Sequence, residues 1–186
     1  MTRILYSATM SLDGYIAGPG GDMSWLAEHL GGPNPVAEDL MGRIGALLVG
    51  ARSFHGDDPN RGTDREGAFG GAWTGPSFVL THRPPATPVP GVTFVTDLDS
   101  GLAAARAAAG DRCVNIIGAD VAAQCLAAGQ LDEIVVFIAP VLLGDGVRLF
   151  HRPGGAQVRL EQLAVTPEPV PCLSLRVRQP AAGSQH

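Results

Sequence analysis

The chain reads as an α/β domain built on a mixed, mostly parallel sheet of about eight strands, closed by an antiparallel hairpin at the C-terminal end. Three observations point there. Short apolar runs alternate with helical stretches through the first two thirds of the sequence, and two strand-like runs then follow one another without a helix between them. Residues 113–150 also read in unbroken order as a strand, a glycine turn, an Ala-rich helix, a longer strand and a Gly-Asp-Gly turn. Strand–helix alternation favours parallel strands joined by crossovers, whereas consecutive strands pair antiparallel.

Strands are expected where short apolar runs are bounded by turn residues. These are 3–9 (RILYSAT), 45–50 (GALLVG), 77–81 (SFVLT), 92–95 (VTFV), 113–117 (CVNII), 132–139 (DEIVVFIA), 157–165 (QVRLEQLAV) and 172–178 (CLSLRVR). The runs LLV and VNII carry almost no polar residue and belong in mid-sheet, while 157–165 alternates and should have one wet face. Helices are expected at 35–43, which opens on a proline suited to a first turn, and at 98–109, between Asp97 as N-cap and Gly110 as stop. A third, 119–128, ends at Gly129. The stretch 56–76 has no periodicity and much glycine and charge, so it reads either as a flap over a site or as a plain insertion.

Bulk properties narrow the function. With 186 residues, 45% apolar and 17% charged, the chain suits one domain, 1–178, followed by a flexible tail at 179–186. A net charge of −5 argues against nucleic acid as a partner. Cysteines 113, 125 and 172 form no metal-ligand spacing, which points to a reducing cytoplasm. No leader peptide or membrane span is expected. Several motifs fail on spacing. Gly18-x-Gly20 lacks a third glycine because residue 23 is Met, and the acidic run from Asp57 puts Pro59, Arg61 and Ala68 where a calcium loop needs oxygen ligands. The five histidines show no metal-binding pairing, so no metal is expected.

Three strand ends carry chemistry instead. Gly50-Ala51-Arg52-Ser53 follows one central strand, Thr81-His82-Arg83 ends another, and Gly118-Ala119-Asp120 joins the VNII strand to a helix. In open α/β sheets ligands bind outside the carboxyl ends of strands, and a glycine bend into a helix start offers free N–H groups to a phosphate. Two arginines near such a cradle suit the 2′-phosphate of NADPH. The plainer readings remain open here: Arg52 and Arg83 as surface cations, Asp120 as an N-cap.

The blocks SLDGYIAGPGGDMSWL (11–26), LLVGARSF (47–54), FVLTHRP (78–84) and 116–150 together resemble the dihydrofolate reductase-like superfamily, in particular the bacterial branch with the reductase domain of riboflavin biosynthesis. The resemblance implies that fold and NADPH as cofactor. Thr9, Ile16 and Ala17 would lie against the nicotinamide. Gly50, Arg52 and Ser53 would grip the phosphates, with Gly118, Ala119, Asp120 and Val121 opening the cofactor-binding helix. Thr81, His82 and Arg83 would embrace the adenosine end. It implies Asp13 and Trp25 as catalytic residues, Asp13 being equally readable as a turn residue that accepts backbone N–H bonds. Asp145 would face the substrate or form a hairpin turn. The acid that fixes a pterin a few residues past the Trp is missing, since Leu30-Gly31-Gly32 stand there, and the acid that many relatives in the bacterial branch carry just before it is Ser24 here. Folate reduction is therefore not expected. The implied activity is hydride transfer to a C=N or C=O carbon of a small heterocyclic or sugar-derived substrate, best a pyrimidine of riboflavin synthesis. The alternatives are a non-catalytic nucleotide-binding module or a reductase of an unrelated carbonyl or pterin compound. A homodimer through the C-terminal strands is also implied.

Overall fold

The computed structural model describes residues 1–29 and 32–178. Its strands are β1 (Ile4–Ser11), β2 (Tyr15–Ala17), β3 (Ile44–Gly50), β4 (Ser77–Leu80), β5 (Val92–Val95), β6 (Cys113–Ile117), β7 (Glu133–Ala139), β8 (Val147–Arg148), β9 (Arg159–Thr166) and β10 (Cys172–Arg178). The helices are α1 (Pro35–Arg43), α2 (Ala51–His55), α3 (Leu98–Ala109) and α4 (Ala119–Ala127), with 3-10 turns at Pro19–Gly21 and Ser24–His29. Eight strands form one sheet in the order β5-β4-β3-β6-β1-β7-β10-β9. The first six positions are parallel, and the last two strands run antiparallel as a hairpin.

Every strand expected from the sequence is present. The apolar runs LLV and VNII are neighbours in mid-sheet, where β3 and β6 are buried along nearly their whole length. Asn34 caps α1 by accepting the Ala37 N–H at 3.2 Å, and Asp97 caps α3 by accepting the Ser100 N–H at 2.9 Å. Both helices span the expected residues, and α4 stops one residue early at Ala127. The strands β2 and β8 and the helix α2 escaped sequence reading. At three, two and five residues they are too short to show a period.

Alternation along β1 and β6 divides the core into two layers. Ile4, Tyr6, Val114 and Ile116 face α3 and α4, whereas Leu5, Leu47, Cys113 and Phe137 face α1 and the 56–76 segment. At the edge, β9 departs from expectation. It was to show one wet face, but it is exposed on both, with Leu160, Leu163 and Val165 at 46%, 40% and 53% exposure. The reason is position: β9 is the outermost strand and pairs only with β10.

At the amino ends of the strands, Glu133 is buried and held by Arg43, whose Nη2 reaches both carboxylate oxygens at 2.8 and 2.9 Å. A charge removed from water needs such a partner, and this one pins the end of α1 to the sheet. Among the described residues no helix is long and apolar enough to cross a membrane. The expected tail at 179–186 lies outside the described residues.

Candidate active site

The carboxyl ends of the parallel strands open into a continuous cleft of about 2290 Å3. Each of the three equipped strand ends reaches it. It is lined by Thr9, Ile16 and Ala17 on one side, by Gly50, Arg52, Ser53, Thr81 and His82 on another, and by Gly118, Ala119, Asp120 and Val121 between them. Arg83, Asp13 and Trp25 stand outside its lining.

One end of the cleft is an anion cradle made of backbone. Gly118 ends β6 at φ +114, a conformation that side chains rarely adopt, and serves as N-cap of α4 without any side-chain cap. The first N–H groups of α4 are therefore left without intrahelical partners at the positive end of the helix dipole. A Cβ on Gly118 would lie 2.6 Å from Ser53 Oγ, and one on Gly50 would lie 3.2 Å from Val121 Cγ2. The β3–α2 and β6–α4 corners thus meet so closely that the Ser53 hydroxyl sits directly over the bend. Arg52 extends nearby, but its guanidinium pairs with Asp120. Both side chains are exposed, so the pair is weak and open to exchange with an incoming anion. Thr81 is buried and its Oγ1 accepts the Arg83 N–H at 3.1 Å; its hydroxyl shapes the turn while His82 faces the cleft.

Tyr6 belongs to this end and was missed. Its hydroxyl is buried without a hydrogen-bond partner, its ring meets Phe150 edge-to-face at 5.5 Å, and it lines the cleft. Burial first, and then the charge of Asp120, push its pKa up, so it stays a neutral donor. The available signal was a phenol directly after the apolar pair Ile4-Leu5, where burial is expected and a tyrosine hydroxyl normally finds a partner. Uncapped amides, a hydroxyl over a glycine bend and an orphaned phenol together fit the diphosphate of a dinucleotide such as NADPH.

The turn after β1 engages Asp13. Asp13 accepts the Ser11 hydroxyl at 2.6 Å and the backbone N–H groups of Leu143 and Gly144 at 3.1 and 2.7 Å. Those bonds, the Ser11 one foremost, hold its carboxyl down at about 2. These are the bonds of a turn residue that accepts backbone N–H groups. Its work is to tie the β1–β2 turn to residues 143–144. Gly146 completes the tie, since a Cβ there would lie 2.1 Å from the Ala17 carbonyl oxygen. Asp145 lines the cleft and accepts the Gly146 N–H at 2.7 Å. Met23, Leu26, Glu28 and His29 line the cleft, while Trp25 lies outside the lining with its ring 6.2 Å from that of His29 and its indole nitrogen buried without a partner.

The other half of the cleft lies on the α1 face of the sheet. Ser7 and Thr9 of β1, Val49 of β3 and Ile117 of β6 line it, with Leu40 and Met41 of α1 opposite. The 56–76 segment forms its outer wall: Phe69 and Trp73 pack on the Leu5–Leu47 cluster, and Trp73 Nε1 donates to Ser77 Oγ at 3.2 Å. Asp58 gathers the segment by accepting the N–H groups of Asn60 and Gly67 at 2.8 and 2.7 Å. Asp57 accepts the Met23 N–H at 3.1 Å and so links the segment to residues 18–29. At the floor, Asn115 is 1% exposed, lines the cleft, and has no partner for either amide atom. Leaving such groups unsatisfied costs about 1–3 kcal/mol each.

The fold built around this cleft recurs in solved structures. A protein assigned to riboflavin biosynthesis from Shewanella sp. PV-4 superposes with a TM-score of 0.71 at 24% identity, over 96% of this chain and 100% of that one. The Thermotoga maritima diaminohydroxyphosphoribosylaminopyrimidine deaminase/5-amino-6-(5-phosphoribosylamino)uracil reductase gives 0.64 at 18% identity over 95% of this chain, which spans only 57% of that protein. Dihydrofolate reductase from Enterococcus faecalis gives 0.62 at 16% identity over 96% and 97% of the two chains. These likenesses show a dihydrofolate reductase-like fold. No curated protein matches the chain. The model of the RibD C-terminal domain matches residues 2–169, nearly the whole of the described structure, and the chain belongs to that family.

Proposed function

We propose that this protein is an NADPH-dependent reductase of a small heterocycle, with a pyrimidine intermediate of riboflavin synthesis as its substrate class. One observation carries the reading: a single cleft joins the uncapped start of α4 to the end of β1 and continues into a walled half on the α1 face. When bound, the dinucleotide supplies the hydride. The chain's own residues do the rest. Amides at 119–121, with the Ser53 and Tyr6 hydroxyls, hold the diphosphate. Backbone at Ile16 and Ala17, fixed through the Asp13 tie, orients the nicotinamide beside Thr9. The Phe69–Trp73 wall limits water around the acceptor carbon. Because Asp13 is ionised, the balancing proton comes from water at the cleft mouth. The match to the RibD C-terminal domain supports the pyrimidine over other heterocycles.

Titration of intrinsic fluorescence with NADPH and NADH, followed by loss of absorbance at 340 nm with 5-amino-6-(5-phosphoribosylamino)uracil, tests this reading. Tighter NADPH binding and oxidation by the pyrimidine support it. Binding without oxidation by pyrimidine, pterin or carbonyl compounds would favour a nucleotide-binding module, and no binding of either nucleotide would end both readings.

We also propose a homodimer formed along β9, whose exposed Leu160, Leu163 and Val165 sit on an unpaired sheet edge. Light scattering should give twice the chain mass, falling to one chain mass for Leu163→Lys. The three cysteines are free and buried, which supports placement in the cytoplasm.

A further inference from the structure

Asn115 stands at the bottom of the walled half of the cleft without a partner for its carbonyl or its amide nitrogen. Its register neighbours are Leu5 on β1 and Leu47 on β3, so it shares their face of the sheet and is flanked by leucine on both sides. Phe69 and Trp73 pack over that same cluster. The next polar groups along the row are Ser77, paired with Leu47, and Glu133, paired with Leu5, each at two strand spacings or roughly 9.6 Å, and Glu133 is already held by Arg43. Ser77 already receives the Trp73 indole N–H. The pocket floor is therefore apolar, about one ring wide, and carries one primary amide with both ends free.

A primary carboxamide offers an acceptor beside a donor. Its complement is a ring edge with N–H next to C=O, as in an imide or lactam. Resting on the reductase reading above, we propose that Asn115 is the specificity residue for the substrate ring: Oδ1 accepts the ring N–H and Nδ2 donates to the adjacent carbonyl. A site built to pair a buried amide rejects a ring that cannot pair it, because binding such a ring leaves the amide sealed off without a partner. A purely structural asparagine would instead bond to the chain around it.

The probes are 5,6-diaminouracil, which has the free N–H, and 5,6-diamino-1,3-dimethyluracil, which lacks it, each titrated by ligand-observed NMR into protein held with NADP+. Wild type should prefer the free imide at least tenfold. Asn115→Leu, similar in shape but without donor or acceptor, should bind both alike and melt at the same temperature or higher. Asn115→Asp, which loses the donors, should weaken the free imide about tenfold and serves if the leucine variant fails to fold. Equal binding of the two probes by wild type, or a leucine variant that keeps the preference, would overturn the assignment. A leucine variant with a lowered melting temperature and intact preference would make Asn115 structural. NADPH titrated into the same samples separates the two levels: loss of ring preference with NADPH still bound removes only this assignment, whereas failure to bind NADPH removes the reductase reading beneath it.

Discussion

The two halves of the cleft are built by different means. The cradle at Gly118 is made of backbone: a glycine bend, uncapped amides, and a serine brought within 2.6 Å of where a side chain would start. The walled half is made of side chains from distant segments, with Asn115 from β6, Leu40 from α1 and Trp73 from a 21-residue loop meeting only after folding. A backbone cradle should tolerate no change of shape at its glycines and considerable change elsewhere. A side-chain pocket should yield residue by residue, without disturbing the cradle.

The sharpest test of that contrast is Gly118→Ala. The added methyl meets Ser53 Oγ and forces an alanine to φ +114, a strain of about 2 kcal/mol. That strain lowers the melting temperature, and the displaced bend and hydroxyl should raise the NADPH Kd about tenfold or more in a fluorescence titration. An unchanged Kd would mean that the dinucleotide does not rest on this bend. Trp73→Ala is the counterpart in the other half. It removes the Ser77 bond and the packing on Leu5 and Leu47, so steady-state kinetics should show KM for the pyrimidine rising about tenfold while NADPH affinity stays within twofold.

The Asp13 tie between the β1–β2 turn and residues 143–144 has a pH dependence as its signature. Its carboxyl sits at about 2 in the folded chain, below the usual 3.8. The stability it contributes is therefore fully present above about pH 4 and is lost as pH falls toward 2. Urea melts should find Asp13→Asn less stable than wild type at pH 7, with the gap closing through that window. The rate profile should show no inflection from this carboxylate between pH 5 and 9. The smallest effect is expected at the Arg52–Asp120 pair. Asp120→Asn should alter stability by less than about 0.5 kcal/mol and tighten NADPH binding two- to threefold, the gain fading in high salt.

The same contrast governs what could be read from residues alone. Gly118, Gly50 and Ser53 were legible because a strand, a glycine and a helix start lie consecutively in the chain and their joint meaning is local. The sheet was legible for a similar reason: each strand is one apolar run with its own boundaries. Asn115 was not, since a single amide in an apolar strand acquires meaning only when the bonds around it are accounted for. Tyr6 was hidden in the same way. Trp25 and Asp13 differ again: each occupies a suggestive position in sequence, yet neither lines the cleft, and three hydrogen bonds engage the Asp13 carboxylate.

The placement of β1 between β6 and β7 bears on how the polypeptide reaches its final form. β1 is made before either neighbour and finds neither until more than a hundred further residues have followed; the Ile4–Asp132 bond alone spans 128 positions. Closing so long a loop is slow, and high contact order delays the native state. A nascent chain stopped before β6 would hold ILYSATMS as an unpaired, sticky segment. Refolding from denaturant should accordingly be slow and concentration-sensitive, with β1 among the last amides to gain exchange protection.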